Sequence, residues 1–219
     1  MRPSIIEVDL NILKNNLRLI RQHIDDRPVM AVVKSNAYGH GLVRVANLYE
    51  QLGVNSLGVA LPEEGILLRK SGISLPIAVF CGLLKEQIPE LIEWDLEFFV
   101  PSTDVINFTE KFCKAKNCRA TIHLKIDSGM GRIGTIAENS ESLIVSALES
   151  ENINIKAVII KVAYIIPLSP NNPIKILVAS AEARIFTILF PKSSMPIIFS
   201  LDFINSLALL YLELLFSLH

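Results

Sequence analysis

The first 160 residues alternate between two hydrophobic patterns. Apolar residues step by three and four from Leu10 to Ile24 and predict an amphipathic helix, with Asp9 as its N-cap. The run from Val29 to Val33 has no polar alternation, which predicts a strand buried on both faces. Because helical and strand patterns continue to alternate after this pair, the sequence predicts an α/β fold.

The later elements repeat this order every 20 to 30 residues. Pro62 is expected to begin a helix, Gly53 to end one in the left-handed conformation, and Ser102 to cap one. The predicted strands are 55–60, 76–80, 96–100, 119–127 and 153–160, and the predicted helices after the first are 42–52, 62–72, 85–94, one that starts after residue 102, and 139–151.

Six βα-type steps match a (β/α)8 TIM-like barrel that is built in sequence and is incomplete here. A doubly wound parallel sheet is the alternative. No Gly-x-Gly-x-x-Gly pattern follows the first strand, which disfavours a dinucleotide-binding fold.

The composition changes near residue 160. Residues 1–159 hold 36 of the 43 charged residues, and all ten glycines lie at or before Gly134. We therefore expect a boundary there, with a barrel portion at 1–160 and an atypical apolar tail at 161–219. A changed reading frame near Ile160 is our hypothesis for its origin.

The segment from Pro196 to Leu218 is long and apolar enough to be weighed as a membrane span. Three polar residues oppose insertion, Asp202, Asn205 and Glu213. An apolar helix outside the membrane is the favoured interpretation.

Net charge and cysteine content limit the classes of function that fit the sequence. The net charge of −1 gives no electrostatic footprint for nucleic acid and suits small neutral or zwitterionic substrates. Cys81, Cys113 and Cys118 have neither metal-ligand spacing nor a paired framework, so we expect no metal site and a reducing cytoplasm. The N-terminus lacks the apolar region of a signal peptide.

Lys34 lies at the carboxyl end of the first predicted strand, where parallel folds place their chemistry. An amine held there suits Schiff-base chemistry, and the alternative is a strand-end lysine that points to water. Gly39 and Gly41 allow positive φ, and the Tyr38 hydroxyl can donate to an anion such as a phosphate. Glu63 and Glu64 are interpreted as acids that favour a helix N-terminus rather than as a catalytic pair.

A second polar cluster ends the fifth predicted strand. Alternation places His123, Lys125 and Asp127 on one face, and the loop 128–134 presents Arg132. The planar guanidinium of Arg132 suits a carboxylate partner. The structural alternative for this cluster is that its charged side chains are simply exposed on the strand.

The eight residues Lys-Ser-Asn-Ala-Tyr-Gly-His-Gly at 34–41 resemble the pyridoxal-phosphate lysine motif of bacterial alanine racemases. The resemblance also covers 2–10, 58–65 and 123–134, and stops near Ile160. It implies that Lys34 carries pyridoxal 5′-phosphate. Arg132 matches the arginine that contacts the substrate carboxylate and the phenolic oxygen of the cofactor. Lys125 matches a supporting position that is carbamylated in some members.

The resemblance further implies a cytoplasmic, homodimeric isomerase that interconverts L- and D-alanine for peptidoglycan precursors. The family continues with a histidine loop, an Asn-Ser pair, a Gly-rich phosphate loop and a C-terminal β domain whose tyrosine serves the opposite substrate face. None is recognisable after residue 160. We therefore expect a fragment with impaired activity and doubtful dimerisation. The alternatives are a catalytically inert cofactor-binding barrel, a non-functional gene fragment, and a membrane-tethered interaction protein.

Overall fold

The computed structural model describes residues 6–24, 27–81, 83–127, 131–161, 183–187 and 196–200. The chain divides into two compact units, Met1–Phe99 and Val100–His219. The boundary that the composition predicts near residue 160 remains a prediction.

The first unit alternates helices with parallel strands. Neighbouring strands pair in the order β1, β2, β3, β4. The elements are α1 (Leu10–His23), β1 (Met30–Val32), α2 (Lys34–Tyr38), α3 (Leu42–Gln51), β2 (Ser56–Val59), α4 (Pro62–Lys70), β3 (Ile77–Val79), a 3-10 turn (Lys85–Gln87), α5 (Ile88–Glu93) and β4 (Glu97–Val100), whose last residue begins the second unit.

The core of this unit lies along β2, β3 and β4, and β3 and β4 are buried along their whole length. The prediction that the first strand is buried on both faces is wrong for β1. Val32 is 39% exposed, and Met30 and Ala31 are half-buried. Among the described strands of this unit β1 pairs only with β2 and is therefore an edge strand, whereas β2 and β3 each have a paired strand on both sides. Side chains on an edge strand are covered by fewer neighbours.

Most predicted element ends are confirmed. The Asp9 carboxylate accepts a hydrogen bond from the Asn11 amide at 2.7 Å, Pro62 begins α4, and Gly53 follows α3 with a φ of +69°. The helix predicted over 85–94 is instead a 3-10 turn that leads into α5, which has a proline in its first turn. Ser102 stands at the N-cap of the next helix, Thr103–Lys116, but its side chain makes no capping hydrogen bond. Only its carbonyl accepts, from the Ile106 amide at 3.4 Å.

The second unit is organised around β5. This strand pairs in parallel with β6 and with β7, and the β7 register shifts between Ile122 and His123. In turn β7 pairs in parallel with β9, and β8 is antiparallel to β9. The elements are α6 (Thr103–Lys116), β5 (Ala120–Asp127), β6 (Thr135–Ile136), a 3-10 turn (Ala137–Asn139), α7 (Ser140–Leu148), β7 (Ile153–Lys161), β8 (Ala183–Thr187) and β9 (Pro196–Ser200).

Both units confirm the predicted α/β class. The helix expected from Pro196 onward is wrong for 196–200, because this isoleucine- and phenylalanine-containing segment pairs as strand β9. The rest of that expected helix, 201–219, lies outside the described residues. None of the helices that the structure describes is long and apolar enough to cross a membrane.

Candidate active site

Lys34 lies where the sequence places it, two residues beyond the end of β1. Its side chain is half-buried, and its Nζ lies 6.0 Å from the centroid of the Tyr38 ring. At this distance the ammonium and the electron-rich ring face attract each other. The Tyr38 side chain is 60% exposed. The structure therefore brings together the two site residues that the sequence predicts in the first unit.

Residues 34–38 are hereafter called the Lys34 turn, and the four residues after Lys34 follow a left-handed path. Ser35, Asn36, Ala37 and Tyr38 have φ values of +54°, +55°, +52° and +53°. The left-handed conformation costs an L-residue about 1–2 kcal/mol, so it persists only where its surroundings enforce it. Strain of this kind concentrates at ligand sites and active sites.

The sequence predicts only part of this conformation. Positive φ is confirmed at Gly39 and Gly41, at +88° and +97°. For the four residues before Gly39 the sequence predicts no positive φ. The sequence contains no local signal for this conformation. Positive φ is so rare for serine, alanine and tyrosine that their presence does not indicate it.

Short hydrogen bonds within 33–42 close the Lys34 turn. The Ala37 amide donates to the Val33 carbonyl at 2.8 Å, and the Gly41 amide donates to the Asn36 carbonyl at 2.9 Å. The Asn36 side-chain Oδ1 accepts from the Leu42 amide at 2.8 Å, which links the turn to the first residue of α3. These bonds shape the end of the turn but leave the Ser35 and Asn36 amides to another partner.

That partner is Glu64, in the first turn of α4. Its Oε1 accepts from the Ser35 amide at 2.5 Å and from the Asn36 amide at 3.4 Å. Its Oε2 accepts from the Ala60 and Leu61 amides at 2.9 and 3.3 Å. Glu64 does occupy a helix N-terminus, as the sequence indicates. Its link to the Lys34 turn was missed, because nothing local to Glu64 shows a partner 29 residues earlier.

Arg132 belongs to the second unit, in the described loop residues 131–134, hereafter the Arg132 loop. Its side chain is exposed, and its backbone amide donates to Asp127 Oδ2 at 2.9 Å. Gly134 has a φ of +135°, and a Cβ on it would lie 2.7 Å from the Asp127 backbone nitrogen. Only glycine therefore fits where this loop folds back over the end of β5.

The predicted polar face of β5 has a graded burial. His123 is 2% exposed, whereas Lys125 and Asp127 are half-buried. Lys125 Nζ donates to the Ile126 carbonyl at 3.2 Å. Lys125 and Asp127 therefore lie at the more open end of the strand, beside the Arg132 loop.

A groove of about 720 Å³ lies elsewhere in the first unit, between α1 and the end of α3. Its lining includes Arg21, whose guanidinium donates to the Leu52 and Gly53 carbonyls at 2.7 Å each. It contains none of the predicted site residues. These contacts satisfy the carbonyls at the α3 terminus.

Comparison with known proteins assigns the fold. The profile of the alanine racemase N-terminal domain matches residues 8–164. The alanine racemase of Methanococcus maripaludis is 37% identical over 158 residues, which cover 71% of this chain and 42% of that protein. The alanine racemase of Treponema denticola is 37% identical over 159 residues, which cover 72% and 42%.

A solved structure of alanine racemase from Clostridium difficile 630 matches with a TM-score of 0.69 and 33% identity. This match covers 73% of this chain and 44% of that one. The matches to the two curated relatives span about two fifths of their length. The predicted resemblance and the barrel-type fold class are confirmed.

Proposed function

Because the chain belongs to the alanine racemase family through residues 8–164, we propose that it carries the pyridoxal-phosphate lysine of an alanine racemase. The observation that carries this proposal is the Lys34 turn. Four consecutive non-glycine residues are held in a left-handed path directly after a lysine at the end of a parallel strand. Such strain is concentrated where a ligand or a reacting group must be positioned.

The residues of the Lys34 turn fit pyridoxal 5′-phosphate. Lys34 offers a primary amine for the aldehyde of the cofactor, on a side chain that is neither fully buried nor fully exposed. Tyr38 offers a phenolic hydroxyl for its phosphate, on an exposed ring next to that amine. When bound, the cofactor acts as an electron sink for the bond between the substrate α-carbon and its hydrogen.

Lys34 has the two tasks of holding the cofactor and moving a proton. Its Nζ would take the α-proton of alanine on one face and return it to that face. The left-handed turn fixes the direction in which this side chain leaves the backbone. A displacement of about 1 Å in such a group lowers the rate of a proton transfer strongly.

Arg132 is proposed to bind the carboxylate of alanine. An exposed guanidinium on a backbone anchored by Asp127 can form two parallel hydrogen bonds with that group. Lys125 is proposed as a supporting residue, since it lies half-buried at the same end of β5. Its carbamylated form would present an anion to the arginine.

Complete racemisation needs a second acid or base on the opposite face of the substrate. The family supplies it from a C-terminal domain, whereas the profile that this chain matches, over residues 8–164, is that of the N-terminal domain. We therefore propose that these 219 residues alone bind the cofactor but racemise alanine slowly. The same observation supports the alternative function, a cofactor-binding protein without turnover. A cytoplasmic location agrees with three free cysteines.

The deciding experiment is to map cofactor attachment. The full chain is incubated with pyridoxal 5′-phosphate, the lysine–cofactor bond is reduced with borohydride, and the modified peptides are identified. We expect one modified lysine, Lys34, and its loss in Lys34→Ala. Lys111→Ala is the matched control, because Lys111 is an exposed lysine on α6.

Three results are informative. A folded chain without cofactor on Lys34 contradicts the proposed function. Attachment together with racemisation about 10²–10⁴-fold below that of a full-length relative supports a racemase that lacks one acid/base group. Attachment without any exchange of the alanine α-proton in deuterated water establishes the inert alternative.

A further inference from the structure

The carboxylate of Glu64 joins two loops of the first unit. One oxygen accepts from the Lys34 turn, and the other accepts from the loop between β2 and α4. The partners lie 28–29 residues away on one side and three or four on the other. A single side chain thus ties the first βα connection to the second.

Helix capping explains only half of this arrangement. A glutamate at the third position of a helix ordinarily reaches back to the amide before the helix, as Glu64 does with Leu61. The shorter contact, to Ser35, lies outside the helix and its cap. The neighbouring Glu63 is exposed and forms no side-chain hydrogen bond within the described residues, yet it supplies the same charge to the helix N-terminus.

The contact falls where the turn lacks other support. The Ala37, Gly39, His40 and Gly41 amides all donate to carbonyls of 33–37. The Ser35 and Asn36 amides, at the start of the left-handed path, donate to Glu64. Without that acceptor the first two strained residues would lose the bonds that oppose their return to an ordinary conformation.

We propose that Glu64 is a positioning residue that holds the Lys34 turn in its left-handed form and so sets the affinity of Lys34 for pyridoxal 5′-phosphate. This inference rests on the proposed function of Lys34. It requires that both carboxylate oxygens of Glu64 accept hydrogen bonds. Glutamine has one acceptor oxygen and one NH₂ donor. With its oxygen on the local capping pair, the Ala60 and Leu61 amides, it turns the donor toward the Ser35 and Asn36 amides.

The first test needs no cofactor. Hydrogen exchange of individual amides is compared in the wild-type chain, Glu64→Gln and the matched control Glu63→Gln. We expect the Ser35 amide to exchange at least about tenfold faster in Glu64→Gln, the effect of losing a hydrogen bond to a charged acceptor. Glu63→Gln should leave its rate unchanged. A Ser35 amide that exchanges at the wild-type rate in Glu64→Gln overturns the proposal.

The second test measures the apparent Kd for cofactor attached at Lys34. Glu64→Gln should raise it at least about tenfold, and Glu63→Gln should change it less than twofold. Faster exchange with an unchanged Kd would reduce Glu64 to a structural residue and overturn the positioning role. If the wild-type chain does not attach cofactor, the proposed function fails, while the exchange measurement still decides whether Glu64 holds the turn.

Should Glu64→Gln not fold, wild-type exchange provides the decision. The proposal then requires the Ser35 amide to be protected as strongly as the Leu42 amide, which donates to Asn36. Exchange of Ser35 at the rate of an unstructured peptide overturns the proposal.

Discussion

The Lys34 turn and the Arg132 loop each present one cation just beyond the end of a parallel strand, but they are held differently. The Lys34 turn places four L-residues in a left-handed path and takes its key acceptor, Glu64, from the next βα unit. The Arg132 loop confines its strained φ values to glycines, and its acceptor, Asp127, lies five residues earlier. The Arg132 loop is therefore shaped locally, whereas the Lys34 turn depends on distant packing.

This difference has consequences for the chemistry of each region. A residue that must form and break a covalent bond benefits from a fixed direction, which the Lys34 turn provides through its strained backbone. A residue that recognises a carboxylate through a long side chain tolerates a simpler anchor, because the guanidinium itself supplies the planar geometry. Mutations far from Lys34 in sequence should thus affect the Lys34 turn more than the Arg132 loop.

The largest predicted effect concerns the glycines of the Arg132 loop. Gly134→Ala places a methyl group 2.7 Å from a backbone nitrogen at a φ of +135°. We expect it to lower the free energy of unfolding by about 2–4 kcal/mol, measured by urea denaturation. Gly131→Ala is the control, since its φ is +67° and the added methyl meets nothing within 4 Å. It should cost only about 1 kcal/mol. Equal losses would show that the loop is not locally shaped.

A smaller effect tests the Lys34 turn. Ser35→Gly removes a left-handed penalty of about 1–2 kcal/mol but adds about 0.5–1 kcal/mol of unfolded-state entropy. We therefore expect the free energy of unfolding to rise by up to about 1.5 kcal/mol. Ala115→Gly, at an exposed position within α6, should lower it by about 1 kcal/mol. A loss in Ser35→Gly as large as that in the control would contradict the left-handed path.

The same contrast explains what the sequence reveals. Signals that act within a few residues were found, such as Asp9, Pro62 and the positive φ of Gly39. The eight-residue motif located Lys34 and Tyr38 together. The left-handed path of Ser35 to Tyr38 could not be predicted, because its support comes from Glu64 in another βα unit.

The exposure of β1 was missed for a related reason. The uniform apolar run around this strand indicates burial on both faces. Its position at the edge of the paired strands of this unit is a property of the whole sheet, which the run does not reveal. The roles of Lys34, Tyr38, Lys125 and Arg132 in binding and catalysis remain predictions, which the cofactor experiments address.

The smallest predicted effect concerns Glu50, at the end of α3. Like Glu64, it is a glutamate whose carboxylate accepts hydrogen bonds from a loop. It accepts from the Ser74 amide and hydroxyl at 2.8 Å each and from the Leu75 amide at 3.2 Å. These bonds, led by the one from the Ser74 amide, lower the pKa of Glu50 below its ordinary value. The stabilisation is therefore complete above the ordinary carboxyl pKa of about 4.3 and is lost as the pH falls through the lower folded value.

The melting temperatures of the wild-type chain and Glu50→Gln, measured from pH 7 to pH 3, test this expectation. The difference should correspond to no more than about 1 kcal/mol near neutral pH and should shrink toward pH 3, because Glu50 is only partly buried. A difference that stays constant would show that charge plays no part in this contact.

Because neither Ser74 nor Leu75 has a positive φ, Glu50 stabilises an unstrained loop. Its removal should therefore leave cofactor attachment at Lys34 unchanged. A loss of attachment in Glu50→Gln would mean that any damage to the first unit disturbs Lys34, and the special dependence of the Lys34 turn on Glu64 would disappear.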